Sequence, residues 1–134
     1  MAIITVTRSF LPPLGEVEAL LREVWASGQL TNSGPLVQRL EKALEPWHGG
    51  GRVHFVSNGT IALQLALQAL EVEGEVITTP FSYVASTTSI LWERCTPVMA
   101  DIYPETFCID PRRIEERITP RTRAILATHV YGLP

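Results

Sequence analysis

The chain has 134 residues, 46% of them apolar and 19% charged, which is typical of one soluble globular domain. Eleven basic residues against fourteen acidic ones give a net charge of −3 and exclude the basic footprint of a nucleic-acid-binding protein. The apolar runs are too short to cross a bilayer, and the N-terminal residues lack the pattern of a secretory signal peptide. Cys95 and Cys108 form neither a disulfide framework nor a CxxC pair. The sequence therefore predicts a cytoplasmic protein that binds neither nucleic acid nor a membrane.

Two amphipathic helices are predicted first. Apolar side chains recur at helical spacing over residues 14–27, and Gly28 is placed to end that helix. A second helix begins at Pro35, since proline favours the first helical position, and Pro46 stops it. We interpret residues 1–48 as a helical N-terminal arm.

From residue 53 the pattern changes to short apolar strands that alternate with helices. Strands are predicted at 53–56, 75–79, 97–102 and 124–129, and helices at 60–72, 84–93 and 111–117. Near-continuously apolar strands of this kind predict an α/β fold, a three-layer and mainly parallel sheet that is buried on both faces. The helix over 60–72 has only Gln64 and Gln68 as polar side chains, so we expect it to be mostly buried. The acidic residues Glu71, Glu73 and Glu75 are interpreted as a solvated helix end.

The end of the sequence bears on domain organisation. It stops directly after a predicted strand, where an α/β chain normally continues through a loop into another helix. We therefore expect residues 49–134 to be an incomplete α/β sheet region, either cut short or belonging to a naturally short protein.

The strongest local signal is the turn Ser57-Asn58-Gly59-Thr60 between a strand and a helix. Such a turn places free backbone N–H groups and the positive end of a helix dipole at the carboxyl edge of a sheet, where a phosphate binds. It matches neither the Walker loop nor the dinucleotide-binding fingerprint. From this feature alone, a simple helix cap is the more frequent explanation.

Other candidate residues also lie beyond predicted strand ends. Phe81 and Tyr83 follow the second strand, and an aromatic ring there stacks on a planar ligand. Since they are two residues apart, only one is expected to face the crevice, and the alternative is that both are core aromatics. His129 closes the fourth strand, and a structural histidine is the alternative there. Asp101 ends the third strand without an identified partner.

No metal site or catalytic triad is predicted. His48 lies in a glycine-rich turn and His54 inside a predicted strand, and neither these nor His129 has a carboxylate at a spacing typical of a zinc site or a Ser/His/Asp arrangement.

Taken together in order, these motifs resemble the DegT/DnrJ/EryC1/StrS family of pyridoxal-phosphate sugar aminotransferases. Each motif is weak alone, but the ordered series covers nearly the whole chain. The matching segments are GQLT (28–31), GP (34–35), SNGTIAL (57–63), EVITTPFSYVAS (75–86), PVMADI (97–102), IDP (109–111), ITPRTRAI (118–125) and HVYG (129–132).

The resemblance implies a cofactor, pyridoxal 5'-phosphate, and roles for the candidate residues. Gly59, Thr60 and Ile61 match the turn that holds the cofactor phosphate, and Tyr83 matches the aromatic that stacks on the pyridine ring. His129 falls near the ring without an assigned role. Residues 1–134 would form the N-terminal part of the large domain of a fold-type I aminotransferase, with a seven-stranded sheet, in a homodimer with active sites at the subunit interface. The substrates would be a nucleotide-linked keto-sugar and an amino-acid donor such as glutamate.

The family's catalytic lysine, which forms the Schiff base with the cofactor, would lie beyond Pro134. Lys42 is the only lysine of the chain, and its position between Glu41 and Glu45 indicates a solvated helix face. By itself the chain is therefore expected to be inactive, with no catalytic residue of its own. Two alternatives stay open: a dehydratase of the same family, in which histidine replaces that lysine, and a non-catalytic protein that binds phosphate or serves in assembly.

Overall fold

The computed structural model describes residues 7–132. They form two compact units, the first ending at Phe55 and the second beginning at Val56. Within the described residues no helix is long and apolar enough to cross a membrane.

The first unit consists of helices, as predicted. α1 spans Leu14–Ser27 and α2 spans Pro35–Leu44, and a short 3₁₀ helix, Glu45–His48, follows. Gly28 ends α1 in the left-handed conformation, with φ of 66°, and its N–H donates to the carbonyl of Val24. Glycine adopts this conformation without steric cost, which explains the stop at this residue.

The strand predicted at 53–56 is wrong. Residues 52–56 have no regular secondary structure, and the Phe55 N–H donates to the Glu41 side chain at 2.8 Å. A strand needs a neighbour that completes its ladder of hydrogen bonds. Among residues 7–132 no strand pairs with residues 52–56, and the three strands of the sheet all lie between Glu75 and Ile125.

The second unit is an α/β structure with a parallel sheet, so the predicted fold class is confirmed. The sheet order is β2-β1-β3, and both strand pairs are parallel. In chain order the elements are α3 (Gly59–Ala69), β1 (Glu75–Thr78), α4 (Ala85–Trp92), β2 (Thr96–Met99), α5 (Pro111–Glu115) and β3 (Thr122–Ile125).

The core lies on both faces of β1. Val76 and Ile77 are fully buried, and because side chains alternate along a strand they point to opposite faces. Burying each of them contributes about 1.5–3 kcal/mol to folding. On one face the core is Leu67, Ile90 and Cys95 around Val76, so α3 and α4 cover that face. On the other face Ala100 and Ile109 of the segment between β2 and α5 pack around Ile77, together with Ile114 of α5.

Two elements are more exposed in the structure than the sequence predicts. Only Leu67 of α3 is buried, and Leu65 and Leu70 are exposed, because α3 packs through one narrow face. β3 is an edge strand rather than one buried on both faces, and its Ile125 is 51% exposed. Neither surface is covered by another residue between 7 and 132.

Glu75 is buried, contrary to its interpretation as part of a solvated end. It is 5% exposed at the start of β1, where the Thr119 hydroxyl donates to Oε2 at 2.5 Å and Arg121 lies 2.6 Å from Oε1. The hydrogen bond from Thr119 and then the charge of Arg121 hold the pKa of Glu75 below its ordinary value, against the opposing effect of burial. This carboxylate joins the start of β1 to the segment that precedes β3.

Candidate functional site

A cleft of about 1170 Å³ opens at the carboxyl edge of the sheet. Its walls are the first turn of α3, the loop that follows β1 and the segment that follows β3. In open α/β sheets this edge is where ligands bind. The predicted turn, aromatic and histidine thus meet in one place.

Asn58 caps the first turn of α3. Its Oδ1 accepts the N–H of Ile61 at 3.0 Å, and its carbonyl accepts the N–H of Ala62 at 3.2 Å. The N–H groups of Gly59 and Thr60 have no acceptor among residues 7–132. Two backbone donors at the positive end of a helix dipole therefore remain available for an anion.

The same turn has room for a ligand. A Cβ built on Gly59 would meet no atom within 4 Å, so no described neighbour requires a glycine there. The Thr60 hydroxyl makes no hydrogen bond to another described residue, whereas the Thr60 carbonyl accepts from the Ser89 hydroxyl at 3.4 Å. The backbone is thus tied to α4 while the donors stay free, a donor set that fits a phosphate group.

Both aromatic residues after β1 line the cleft. Tyr83 is 78% and Phe81 41% exposed, so neither is a core aromatic, and the expectation that only one would face the crevice is wrong. The alternation of a strand ends before them, because the chain bends at residues 80–82. The broad, exposed ring of Tyr83 suits stacking on a flat ligand.

His129 is exposed and also lines the cleft, whereas Asp101 lies on a smaller, separate cleft and accepts the N–H of Ile102. His48 and His54 are exposed residues of the first unit. No group of three or more histidine, cysteine or acidic residues within 7–132 is arranged to hold a metal ion.

Three hydroxyl side chains of the cleft were missed as a group by sequence reasoning. Ser82 Oγ lies 2.7 Å from Ser86 Oγ and 3.1 Å from Thr128 Oγ1. Ser82 and Ser86 stand in one motif, but no spacing rule brings them to Thr128, which is 46 residues further along.

Sequence reasoning also missed a group of three aromatic side chains that contact one another. The ring of Phe81 stacks on Phe107 with centroids 5.4 Å apart, and Phe107 meets the edge of Tyr131 at 5.9 Å. Phe107 has φ of 60°, which is rare for a bulky side chain. These contacts join the loops that follow all three strands.

A sequence profile of the DegT/DnrJ/EryC1/StrS aminotransferase family matches residues 15–134. The chain belongs to this family. The predicted family is thereby confirmed over most of the chain.

Known family members share much of this sequence. The dTDP-4-amino-4,6-dideoxy-D-glucose transaminase of Escherichia coli is 47% identical over 98% of this chain, which corresponds to 35% of the relative's length. The 3-oxo-glucose-6-phosphate:glutamate aminotransferase of Bacillus subtilis is 41% identical over 87% of the chain and 27% of its own length. The chain thus spans about a third of the length of such relatives.

Solved structures of the family share the fold. NtdA from Bacillus subtilis, with bound cofactor PMP, matches with a TM-score of 0.83 and 38% identity over 89% of this chain and 28% of its own. DesI, solved in the presence of its TDP-sugar product, matches with a TM-score of 0.84 and 33% identity over 91% of this chain and 31% of its own. The α/β fold of a fold-type I aminotransferase is therefore confirmed.

Proposed function

We propose that residues 1–134 form the N-terminal part of the large domain of a pyridoxal-phosphate-dependent sugar aminotransferase. The observation that carries this proposal is the pair of free N–H donors at Gly59 and Thr60. They open into the same cleft as the exposed ring of Tyr83, in a chain of an aminotransferase family.

The first turn of α3 would hold the cofactor phosphate. The N–H groups of Gly59 and Thr60 and the Thr60 hydroxyl donate to it, and the helix dipole favours its negative charge. Ile61 belongs to the same turn, but its N–H is already bonded to Asn58. We therefore assign Ile61 to maintaining the shape of the turn.

Tyr83 would cover one face of the pyridine ring, and His129 would lie beside the ring. When bound, pyridoxal phosphate carries the amino group from the amino-acid donor to the keto-sugar. The contribution of this chain is to bind the phosphate, orient the ring by stacking and exclude water from one face of it.

The proposed substrates are a nucleotide-linked keto-sugar and an amino-acid donor such as glutamate. The names of the Escherichia coli relative and of the DesI structure support a nucleotide-linked sugar, and that of the Bacillus subtilis relative supports glutamate as donor. Because these relatives are named transaminases, we favour an aminotransferase over the dehydratase. A homodimer in the cytoplasm is part of the same proposal.

The lysine that binds the cofactor covalently would lie outside residues 1–134. Lys42, the only lysine in the sequence, is exposed on α2, in the unit that does not form the cleft. The α3 turn and Tyr83 thus supply the non-covalent part of cofactor binding.

The test uses the complete protein encoded by the gene that contains this sequence. After loading with pyridoxal phosphate and borohydride reduction, peptide mapping should find one labelled lysine, and it should not be Lys42. Glutamate should then convert the unreduced protein spectrally to its PMP form. Label at Lys42 contradicts the assignment, and bound cofactor with neither labelled lysine nor response to glutamate favours the dehydratase. Absence of any cofactor binding rejects the proposed function.

A further inference from the structure

The side chain of Tyr83 is not held in place by polar or ring contacts of its own. It is 78% exposed and makes no hydrogen bond or ring contact with another described residue. Its backbone carbonyl accepts the Ser86 N–H at 3.0 Å, and that bond ties the residue to the start of α4. The direction of the ring therefore depends on the backbone at residues 81–84.

Ser82, the residue before Tyr83, is held strongly. Its Oγ contacts Ser86 Oγ at 2.7 Å and Thr128 Oγ1 at 3.1 Å, and Ser86 is only 7% exposed. A serine hydroxyl has one proton and two acceptor positions, so Ser82 is able to serve both contacts at once. The bond to Thr128 connects the loop after β1 to the segment after β3, which carries His129.

Phe81, on the other side of Ser82, also has contacts that fix its position. Phe81 stacks on Phe107 from the loop after β2, and its N–H donates to the Thr79 hydroxyl at 3.2 Å. The loop after β1 is thus tied to the loops after both neighbouring strands, and Ser82 provides its polar connection.

We propose that Ser82, through its hydrogen bond to Thr128, is a positioning residue that sets the orientation of Tyr83 against the cofactor ring. This inference rests on the proposed function, because it requires a flat ligand on Tyr83. Ser82 itself does not touch the reacting atoms. It fixes the backbone that presents Tyr83, so that stacking does not have to order the loop at the moment of binding.

The experiment is a double-mutant cycle on the complete protein, read out by cofactor dissociation constant and by the visible circular dichroism of the bound cofactor. Ser82→Ala should weaken cofactor binding about tenfold and reduce the dichroic band. Thr128→Val should act in the same way. The double variant should be no worse than Ser82→Ala alone, because the Ser82–Thr128 hydrogen bond is already lost in each single variant.

A second cycle tests whether the effect passes through Tyr83. In a Tyr83→Ala background, Ser82→Ala should have no further effect on cofactor binding, since the ring that it orients is gone. Full additivity in either cycle, or cofactor binding and dichroism of Ser82→Ala within about twofold of the parent, overturns the proposal.

Two further variants separate positioning from a general loss of folding. Thr128→Ser keeps the hydroxyl and should bind the cofactor as tightly as the parent protein. Thr88→Val is the matched control for Thr128→Val, because among residues 7–132 the Thr88 hydroxyl bonds only to the carbonyls of Val84 and Ala85 and does not line the cleft. It should leave binding unchanged, and a loss equal to that of Thr128→Val counts against positioning.

If the parent protein binds no cofactor, the proposed function fails; if it binds and Ser82→Ala binds equally well, only this inference fails.

Discussion

The N-termini of α3 and α5 have similar caps but differ in the number of backbone N–H donors that remain without an acceptor among the described residues. Asn58 caps α3 through the N–H of Ile61, and Asp110 caps α5 through the N–H of Arg112 at 2.9 Å. α5 begins with Pro111, which has no N–H, whereas α3 begins with Gly59 and Thr60, whose two donors stay free. The N-terminal N–H groups of α5 are thus bonded within the chain, whereas two N–H groups of α3 are available to a ligand.

The two caps also differ in charge, since Asp110 is a carboxylate and Asn58 a neutral amide. Asp110 is buried, and hydrogen bonds from Arg112 hold its pKa below the ordinary value. The guanidinium of Arg112, 3.1 Å from Oδ2, compensates the carboxylate. At α3 the cap is a neutral amide. A neutral cap does not repel an anion, so the α3 terminus keeps its full attraction for a phosphate.

The largest effect is expected for Thr60→Ala in the complete protein. Removing a hydrogen bond to a charged phosphate should cost about 1.5–3 kcal/mol of cofactor affinity. The free energy of unfolding without cofactor should hardly change, because the hydroxyl has no described partner. Thr60→Ser is the control and should keep the affinity. Fluorescence titration with pyridoxal phosphate measures the affinity of both variants, and equal binding by Thr60→Ala would show that the Thr60 hydroxyl does not contact the phosphate.

Tyr83→Ala extends the comparison to the loop after β1, which forms another wall of the cleft. Loss of the stacking ring should weaken cofactor retention by on the order of 1–3 kcal/mol. Tyr83→Phe retains the ring and should bind nearly as well as the parent protein. The rate of cofactor loss during dialysis distinguishes them, and an unchanged rate for Tyr83→Ala would remove Tyr83 from the site.

Asn58→Asp gives α3 the charged cap of α5. Aspartate and asparagine cap helices about equally well, so the urea midpoint without cofactor should stay the same. The added negative charge should weaken phosphate binding by about 1 kcal/mol. Asn58→Ser, a neutral cap, should preserve both quantities. If Asn58→Asp binds the cofactor as well as Asn58→Ser, the neutrality of the cap has no role.

The smallest effect is expected at α5 and depends on pH. Because the folded-state pKa of Asp110 is lowered, its charge stabilises the fold above the ordinary pKa of 3.8, and this contribution is lost as the pH falls through the folded-state pKa. Asp110→Asn keeps a cap without the charge. Its deficit in the urea midpoint should be present at pH 7 and disappear on acidification below 3.8. The contribution is small because the Arg112 side chain is 74% exposed, and a deficit independent of pH would exclude the charge as its cause.

Local chemistry explains which elements were predictable. Gly28 and Pro35 define the end of α1 and the start of α2 by their own backbone preferences, and Pro111 does the same at the start of α5. The strand predicted at 53–56 was wrong because pairing needs a partner that apolar character does not provide. The burial of Glu75 depends on Thr119 and Arg121, which lie more than 40 residues further along.

The sequence by itself determined the family, the α/β class and the capped turn at the start of α3, because each of these depends on residue type and order. Only the tertiary structure decided that Tyr83 and Phe81 share one cleft and that Ser82 bonds to Thr128. It alone showed that the ring of Phe107 contacts both Phe81 and Tyr131. The physical reason is that parallel strands bring the loops after their carboxyl ends to one edge, where side chains distant in sequence come within bonding distance.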